Sequence, residues 1–497
     1  MGNRRILALM AALSLVAAAP APPPDLALFN RITWGANESG LAEMRAVGTE
    51  AWLQSQLHPT GKERLPEAAQ SQIDALPIAN KPLTTLMSEM QALQRHANQM
   101  TDPVEKQAAQ KVYQEALTDT ARQSAARDIL RDLYSPAQLQ ERMTWFWFNH
   151  FNVHQYKSDI RPMLGDYVET ALRPHALGKF RDLVMATVQH PAMLRYLDNA
   201  ASTGFSRNEN YARELMELHT MGVGGGYTQT DVQELSRILT GVGIDTNEQP
   251  PNVPMRYLPQ LIRNGIFEFN PARHDFTDKT LLGHPIEGRG FAEVEEAVTI
   301  LCRETATAHH ISRQLATYFM DDTPQAALVD RMAAEFARTD GDIAAVLSVL
   351  FHAPGFTSAA KFKDPARFVL SAVRLAYDQR VILNTQPIQG WLNRLAEGIY
   401  NHETPDGYAL VSTAWTGPGQ LAARFEVARQ IGFGSAGLFK PPTPGATDRP
   451  GFPTLQNALY FGTTRATLAP PTRAALDQTM SPQEWNLLFL SSPDFMY

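Results

Sequence analysis

SPAQLQERMTWFWFNHF, residues 135–151, decides the fold. Ser135-Pro136 followed by Gln138 supplies an N-cap, a first-turn proline and a capping-box partner for a helix that runs into seven residues, five of them aromatic rings of Phe or Trp. Aromatic side chains on every side of a helix require burial all round. We therefore expect this helix at the centre of a mainly α fold, a large multi-helix domain. Asn149 and His150, wedged among the rings, must find hydrogen-bond partners inside it. His150 and His154 stand four apart, a spacing that would let one side of a continuous helix chelate a metal. The zincin pattern needs Glu after the first His, where Phe151 stands.

Outward from this helix, helix formers dominate Leu83 to Leu133, and Thr101-Asp102-Pro103 supplies a break and a new start, predicting a helical hairpin elaboration near 83–133. Downstream, Ser206 with Glu209 has capping-box spacing before a helix over Tyr211 to His219, with Gly222 at its end. Thr228 with Asp231 caps a further helix through Leu239. Prolines stop helix growth between Asp245 and Leu261, and Ile266-Phe267-Glu268-Phe269 alternates like a strand. A small β-hairpin or extended flap is expected near residues 264–283. Helices resume over Phe291–Arg338, Ile343–Phe351 and Pro365–Tyr377. Gln189-His190-Pro191, His352-Ala353-Pro354 and Ser491-Ser492-Pro493 share helix-stop chemistry at separations too long for a solenoid.

The 497 residues carry 51 acidic and 44 basic side chains, a formal charge of −7. Arg4 and Arg5 precede an apolar run from Ile6 that ends in Ala17 and Ala19 before Pro20 to Pro24, the pattern of a secretory signal over residues 1–19. Removing it takes away two arginines and no acid, leaving −9 on residues 20–497, which are read as one large helical domain. No later apolar run reaches the roughly 18 residues needed to cross a bilayer. The acidic balance argues against dependence on nucleic-acid phosphates. Cys302, the one cysteine, excludes a disulfide framework and multi-thiolate zinc sites, and reads as core filler rather than a nucleophile.

The chemistry concentrates in NENYARELMELHTMG, residues 208–222. At 100° per residue, Asn210, Glu214 and Glu217 share one helical face with Arg213 alongside. Paired carboxylates on one face share acid–base work or admit a divalent metal. The plain alternative is an Arg213–Glu217 i,i+4 pair on a solvated face. Gly222, Gly224, Gly225 and Gly226 before Tyr227-Thr228 form an interhelical turn without the spacing of a nucleotide loop, and His274-Asp275 on the flap is a further proton-transfer candidate. His219 falls on the apolar face, as a core histidine. A haem held by His219 or His154 with Met221 lacks any C-x-x-C-H attachment site.

These segments resemble the bacterial family called domain of unknown function 1800. The resemblance covers nearly all of the chain after the leader. It rests on Leu28-Phe29-Asn30-Arg31-Ile32-Thr33-Trp34-Gly35, Glu50-Ala51-Trp52-Leu53, Trp147 to Phe151, His190-Pro191-Ala192-Met193-Leu194, Asn208 through Gly241, His274 through Gly283 and the final Ser-Pro-Asp-Phe. Gly224 and Gly241-Val242 depart from the usual pattern. The resemblance implies an exported helical protein often encoded beside the exported family called domain of unknown function 1501, and carries no activity or cofactor.

Two functions follow from these readings. One is a hydrolase-type enzyme acting on extracytoplasmic or envelope material, periplasmic or extracellular. Glu214, Glu217, His150, His274 and Asp275 are its catalytic candidates, with Asn210, Arg213 and Tyr227 binding substrate. It requires Glu214, Glu217, His150 and His274 to converge on one solvent-reachable cavity. The other is a non-catalytic periplasmic or surface scaffold or binding protein, in which the same residues make buried hydrogen bonds between helices.

Overall fold

The computed structural model describes residues 21–497 apart from 62–63, 248, 250, 442, 444 and 450; the leader-like segment 1–19 lies outside the described residues. The chain is mainly helical with a small β region. Helix α1 (Pro24–Ile32) leads to a hairpin of α2 (Leu83–Gln99) and α3 (Pro103–Tyr134), where Asp102 caps α3 by accepting the Val104 and Glu105 N–H groups. The two arms close over Met90, Tyr113 and Leu117. The second half of α3 then enters the main core through Ala121, Ala125, Ile129, Leu130 and Leu133.

Helix α4 (Gln138–His150) is the expected central helix, with Phe146 and Trp147 buried. Its start differs from the sequence reading. The helix begins at Gln138, and Ser135 Oγ accepts the Ala137 N–H, while the Gln138 amide folds back to donate to the Ser135 and Asp132 carbonyls at 2.8 and 3.0 Å. Arg142, fully buried, is what α4 offers its neighbours. Its guanidinium donates to the Thr33 carbonyl at 3.0 Å and the Tyr318 hydroxyl at 3.1 Å, and lies over the rings of Trp34 and Tyr318. One charge thus joins the turn after α1, the centre and a helix almost two hundred residues later.

A π-helical turn, Tyr167–Leu172, precedes α5 (Phe180–Val188) and α6 (Pro191–Tyr196). His190 caps α6 by accepting the Ala192 N–H, so this proline starts a helix instead of only stopping one. Helix α7 (Asn210–Glu217) ends two residues before His219 and five before Gly222, and the Ser206–Glu209 capping box does not form: Ser206 is held in a turn by Thr203. Helix α8 (Gln229–Ile238) carries the expected box, Thr228 with Asp231.

The flap is larger than a hairpin. Strands β1 (Val242–Ile244), β2 (Ile262–Asn264) and β3 (Phe267–Phe269) form an antiparallel sheet in the order β1-β3-β2, and β4 (Lys279–Leu281) pairs with β5 (His284–Ile286). All of β3 is buried, Glu268 included, so its alternation in sequence does not mark a solvent face. Helices α9 (Phe291–Arg303), α10 (Thr305–Phe319), α11 (Ala326–Arg338), α12 (Ile343–Phe351) and α13 (Pro365–Tyr377) follow, then α14 (Pro418–Phe433) packed on α15 (Pro482–Ser491). One apolar cluster takes residues from Leu26 to Met496. Cys302 is buried in it with its thiol pushed up by desolvation, which suits core filler and not a nucleophile. Among the described residues no helix is long and apolar enough to cross a membrane.

Candidate functional site

The polar face of α7 is where the sequence placed it. Arg213 lies 3.4 Å from Glu217 and 3.6 Å from Glu209, and donates to Gln229 at 2.8 Å. Tyr227 reaches Glu217, and desolvation, then the hydrogen bond and charge of Glu217, raise the phenol. This is the solvated i,i+4 pairing weighed above as the plain alternative. Asn210 is exposed and donates weakly to the Leu197 carbonyl at 3.4 Å. Glu214 stands apart from that chain of contacts. Desolvation raises its carboxyl, and the nearby carboxylates of Glu217 and Asp406 raise it further against Arg213.

Asp406 belongs to a loop, residues 398–408, that no sequence signal connected with α7. The last turn of α4 and the chain after it hold this loop almost as a strand would. Asn149 Nδ2 donates to the Tyr408 carbonyl at 2.9 Å and Asn149 Oδ1 accepts the Tyr408 N–H at 2.6 Å. Asn152 donates to the carbonyls of His402 and Thr404 at 3.0 and 2.8 Å, and the Gln155 N–H to that of Tyr400 at 3.0 Å. Asn149, expected to need a partner among the aromatics, thus finds the loop. His402 has Thr404 and Asp406 against its Nε2, and Asp406 is the loop residue that acts on Glu214.

The other catalytic candidates are elsewhere. His150 is buried at the end of α4, its Nε2 3.0 Å from the His219 carbonyl, and desolvation lowers its pKa to about 3. It is a neutral donor to the frayed end of α7. His310 does the same for the Leu218 carbonyl at 3.3 Å, and His219 is fully buried with neither ring nitrogen bonded among the described residues. Since α4 stops at His150, His154 lies past the helix, its ring tilted against that of Tyr156, and the i,i+4 chelate is not built. Among the described residues no three His, Cys, Asp or Glu side chains are placed to hold a metal ion.

His274 lies in a closed cluster with no side-chain exposure. Its Nδ1 faces the Thr240 carbonyl at 2.7 Å and its Nε2 faces Glu293 Oε1 at 2.9 Å. The same Oε1 accepts the Arg289 and Gly290 N–H groups at 2.6 and 2.8 Å at the start of α9, and Oε2 meets Lys279 Nζ at 2.5 Å. Desolvation would raise the Glu293 carboxyl, but these bonds hold it below the usual range. Asp275 next door opposes the same penalty with Arg237, at 3.0 Å, and Thr277, and stays well below the usual carboxylate range. Both residues fasten the flap to α8 and α9. His150 and His274 bond to different segments, and neither the cavity on α3 nor the one beside Asp166 is lined by Glu214, His150 or His274.

Sequence reasoning missed a second group of acids, on the inserted half of α3. A cavity of ≈40 Å³ is lined by Asp128, Asp132, Glu141, Arg131, Arg173 and Tyr400 among aromatic rings. That is room for about three water molecules and no substrate. Arg173 grips Glu141 bidentately at 2.7 and 3.0 Å, Arg131 grips Glu169, and the Tyr400 hydroxyl donates to Asp128. Tyr400 adopts a left-handed φ of 61°, a strained conformation for a side chain of its size. The signal was present as Arg127, Asp128, Arg131 and Asp132 at helical spacing, but that pattern equally describes a solvated face.

Desolvation, only partly offset by Arg127 and Tyr400, pushes the Asp128 carboxyl up to about 6. A carboxyl raised on folding contributes stability that is complete below its unfolded pKa near about 4 and is lost as pH rises through about 6. Asp128→Asn removes that dependence. The variant should gain on the parent by up to about 3 kcal/mol between pH 4 and pH 7. Urea unfolding at both ends of the window checks it, and parallel pH profiles for the two proteins would refute it.

A family model described as Protein of unknown function (DUF1800) matches residues 27–497, and the chain belongs to that family. No curated protein and no solved structure matches it.

Proposed function

We propose that this DUF1800 member is exported and works outside the cytoplasm as a non-catalytic binding or scaffolding protein, whose solvent-facing polar surface is the rim of α7 and the 402–406 loop. One observation carries this reading: His150, His274 and Asp275 are committed to helix ends, Glu293 and Arg237, which withdraws from the carboxylates of α7 the two imidazoles and the acid that the hydrolytic site was expected to use. The leader-like segment 1–19 supports export, and an exported protein of the DUF1501 family is the partner suggested by the family's usual gene neighbourhood.

Glu214 favours a second reading. A half-buried carboxyl raised beside Glu217 and Asp406 has the environment of a general acid, and the substrate of such a hydrolase would be envelope material. Screening the chain from residue 20 onward against glycans, peptides and esters, beside its Glu214→Gln variant, separates the two. Our reading expects no hydrolysis that depends on Glu214. Turnover that falls about 100-fold or more in a folded Glu214→Gln protein would replace it with the hydrolase.

A further inference from the structure

A second cavity, ≈470 Å³, touches neither the α7 rim nor the buried acids of α3. It opens where the start of α2, the π-helical turn, the junction of α5 and α6 and the β2–β3 turn meet. Such π-helical turns recur at functional sites because the widened ring displaces side chains from the helical ladder. Here the turn contributes Thr170 and Ala171 to the wall, next to Asp166.

The carboxylate of Asp166 is held in place from behind. His190 Nδ1 accepts the Ala192 N–H at 3.1 Å, so the ring carries its proton on Nε2 and donates it to Asp166 Oδ2 at 3.0 Å. Asp166 Oδ1 takes no hydrogen bond among the described residues, and the side chain is one-third exposed. The side chains of Thr84, Gln189 and Asn264, also on the wall, make none either among the described residues. Interleaved with these open polar groups are apolar surfaces of the cavity, among them Ala186 and Phe267. Among the described residues no Lys or Arg lines it, so it lacks the charged donors that favour a phosphate, sulfate or carboxylate.

We propose that this groove binds a neutral saccharide, whose hydroxyl groups pair with Asp166 Oδ1, Gln189 and Asn264 while its C–H faces lie on the apolar wall. A carboxylate and two amides supply both acceptors and donors, as hydroxyl groups require, and the volume falls in the range of about 300–1,000 Å³ usual for small-molecule sites. His190 is a positioning residue, acting through Asp166. The site is separate from the α7 rim, and it holds whether that rim binds or catalyses.

Calorimetric titration of the chain from residue 20 onward with maltose, cellobiose and N,N′-diacetylchitobiose, beside glucosamine and inorganic phosphate as charged probes, tests this directly. One of the neutral sugars should bind, and Gln189→Ala and Asn264→Ala should each weaken it about fivefold to tenfold. Neither side chain makes a hydrogen bond among the described residues, so these variants keep the fold, and circular dichroism verifies that they do. Asp166→Asn should weaken binding similarly at unchanged stability. The proposal fails if none of the neutral sugars binds at 10 mM where a charged probe does or where no probe does. It fails equally if binding survives unchanged in the Gln189→Ala/Asn264→Ala double variant.

Discussion

Replacing Glu293 by alanine should destabilise the protein by about 3–5 kcal/mol, a large share of what a folded domain possesses. Glu293, His274 and Lys279 have no side-chain exposure, and the one carboxylate answers the imidazole, the ammonium and two backbone N–H groups at the start of α9. Removing it strands a buried ammonium whose one remaining acceptor among the described residues is the Asp275 carbonyl. The penalty comes chiefly from that unpaired charge, so Lys279→Met added to Glu293→Ala should recover part of the loss. Denaturant unfolding of parent, single and double variants measures it. A single variant within about 1 kcal/mol of the parent would show that the cluster does not hold the flap.

Gly407→Ala should cost about 2–5 kcal/mol and release the 398–408 loop. Gly407 has a φ of 70°, in the left-handed region, and an added methyl group would overlap the Asn149 carbonyl and approach its side-chain oxygen. Nothing there is the movable end of a long side chain, because Asn149 is itself bonded twice to Tyr408. Hydrogen exchange should report lost protection at the Tyr408 N–H, and the Asp406 carboxylate would leave the neighbourhood of Glu214. Unaltered exchange in the loop together with unaltered stability would contradict this account of how the rim is held.

Several elements were legible because their signals are local. Thr101-Asp102-Pro103 combines a capping acid with a first-turn proline, and Asp102 caps α3 as those residues require. Thr228 and Asp231 satisfy each other across one turn whatever surrounds them. The aromatic run of α4 demanded burial. Ser206 and Glu209 had the same spacing as Thr228 and Asp231 and formed no cap, since a nearby turn with Thr203 took Ser206 instead. Strand β1 was not foreseen, because three residues after a helix end become a strand only when β3 is beside them.

The candidate site was half legible. Asn210, Arg213, Glu214, Glu217 and Tyr227 gather on or beside one helix face, as periodicity predicts. His150, His274 and Asp275 were grouped with them by chemical character, and proximity in space obeys no such grouping. Their partners, the His219 carbonyl, Glu293 and Arg237, lie 69, 19 and 38 residues away. His190, identified only as part of a resemblance and a helix stop, proves to be a cap that also orients Asp166.

The sequence by itself determined the helical class, the hairpin of α2 and α3, the buried centre at α4, the single thiol and the family, since periodicity, capping and composition act over a few residues at a time. Only the tertiary structure decided which polar groups face water. A buried imidazole or carboxylate must be satisfied by whatever the fold brings to it, and here those partners are backbone carbonyls, helix ends and counter-charges from distant segments. Hence His274 is a fastening inside the protein while Asp166, whose surroundings no pattern singled out, faces an open groove.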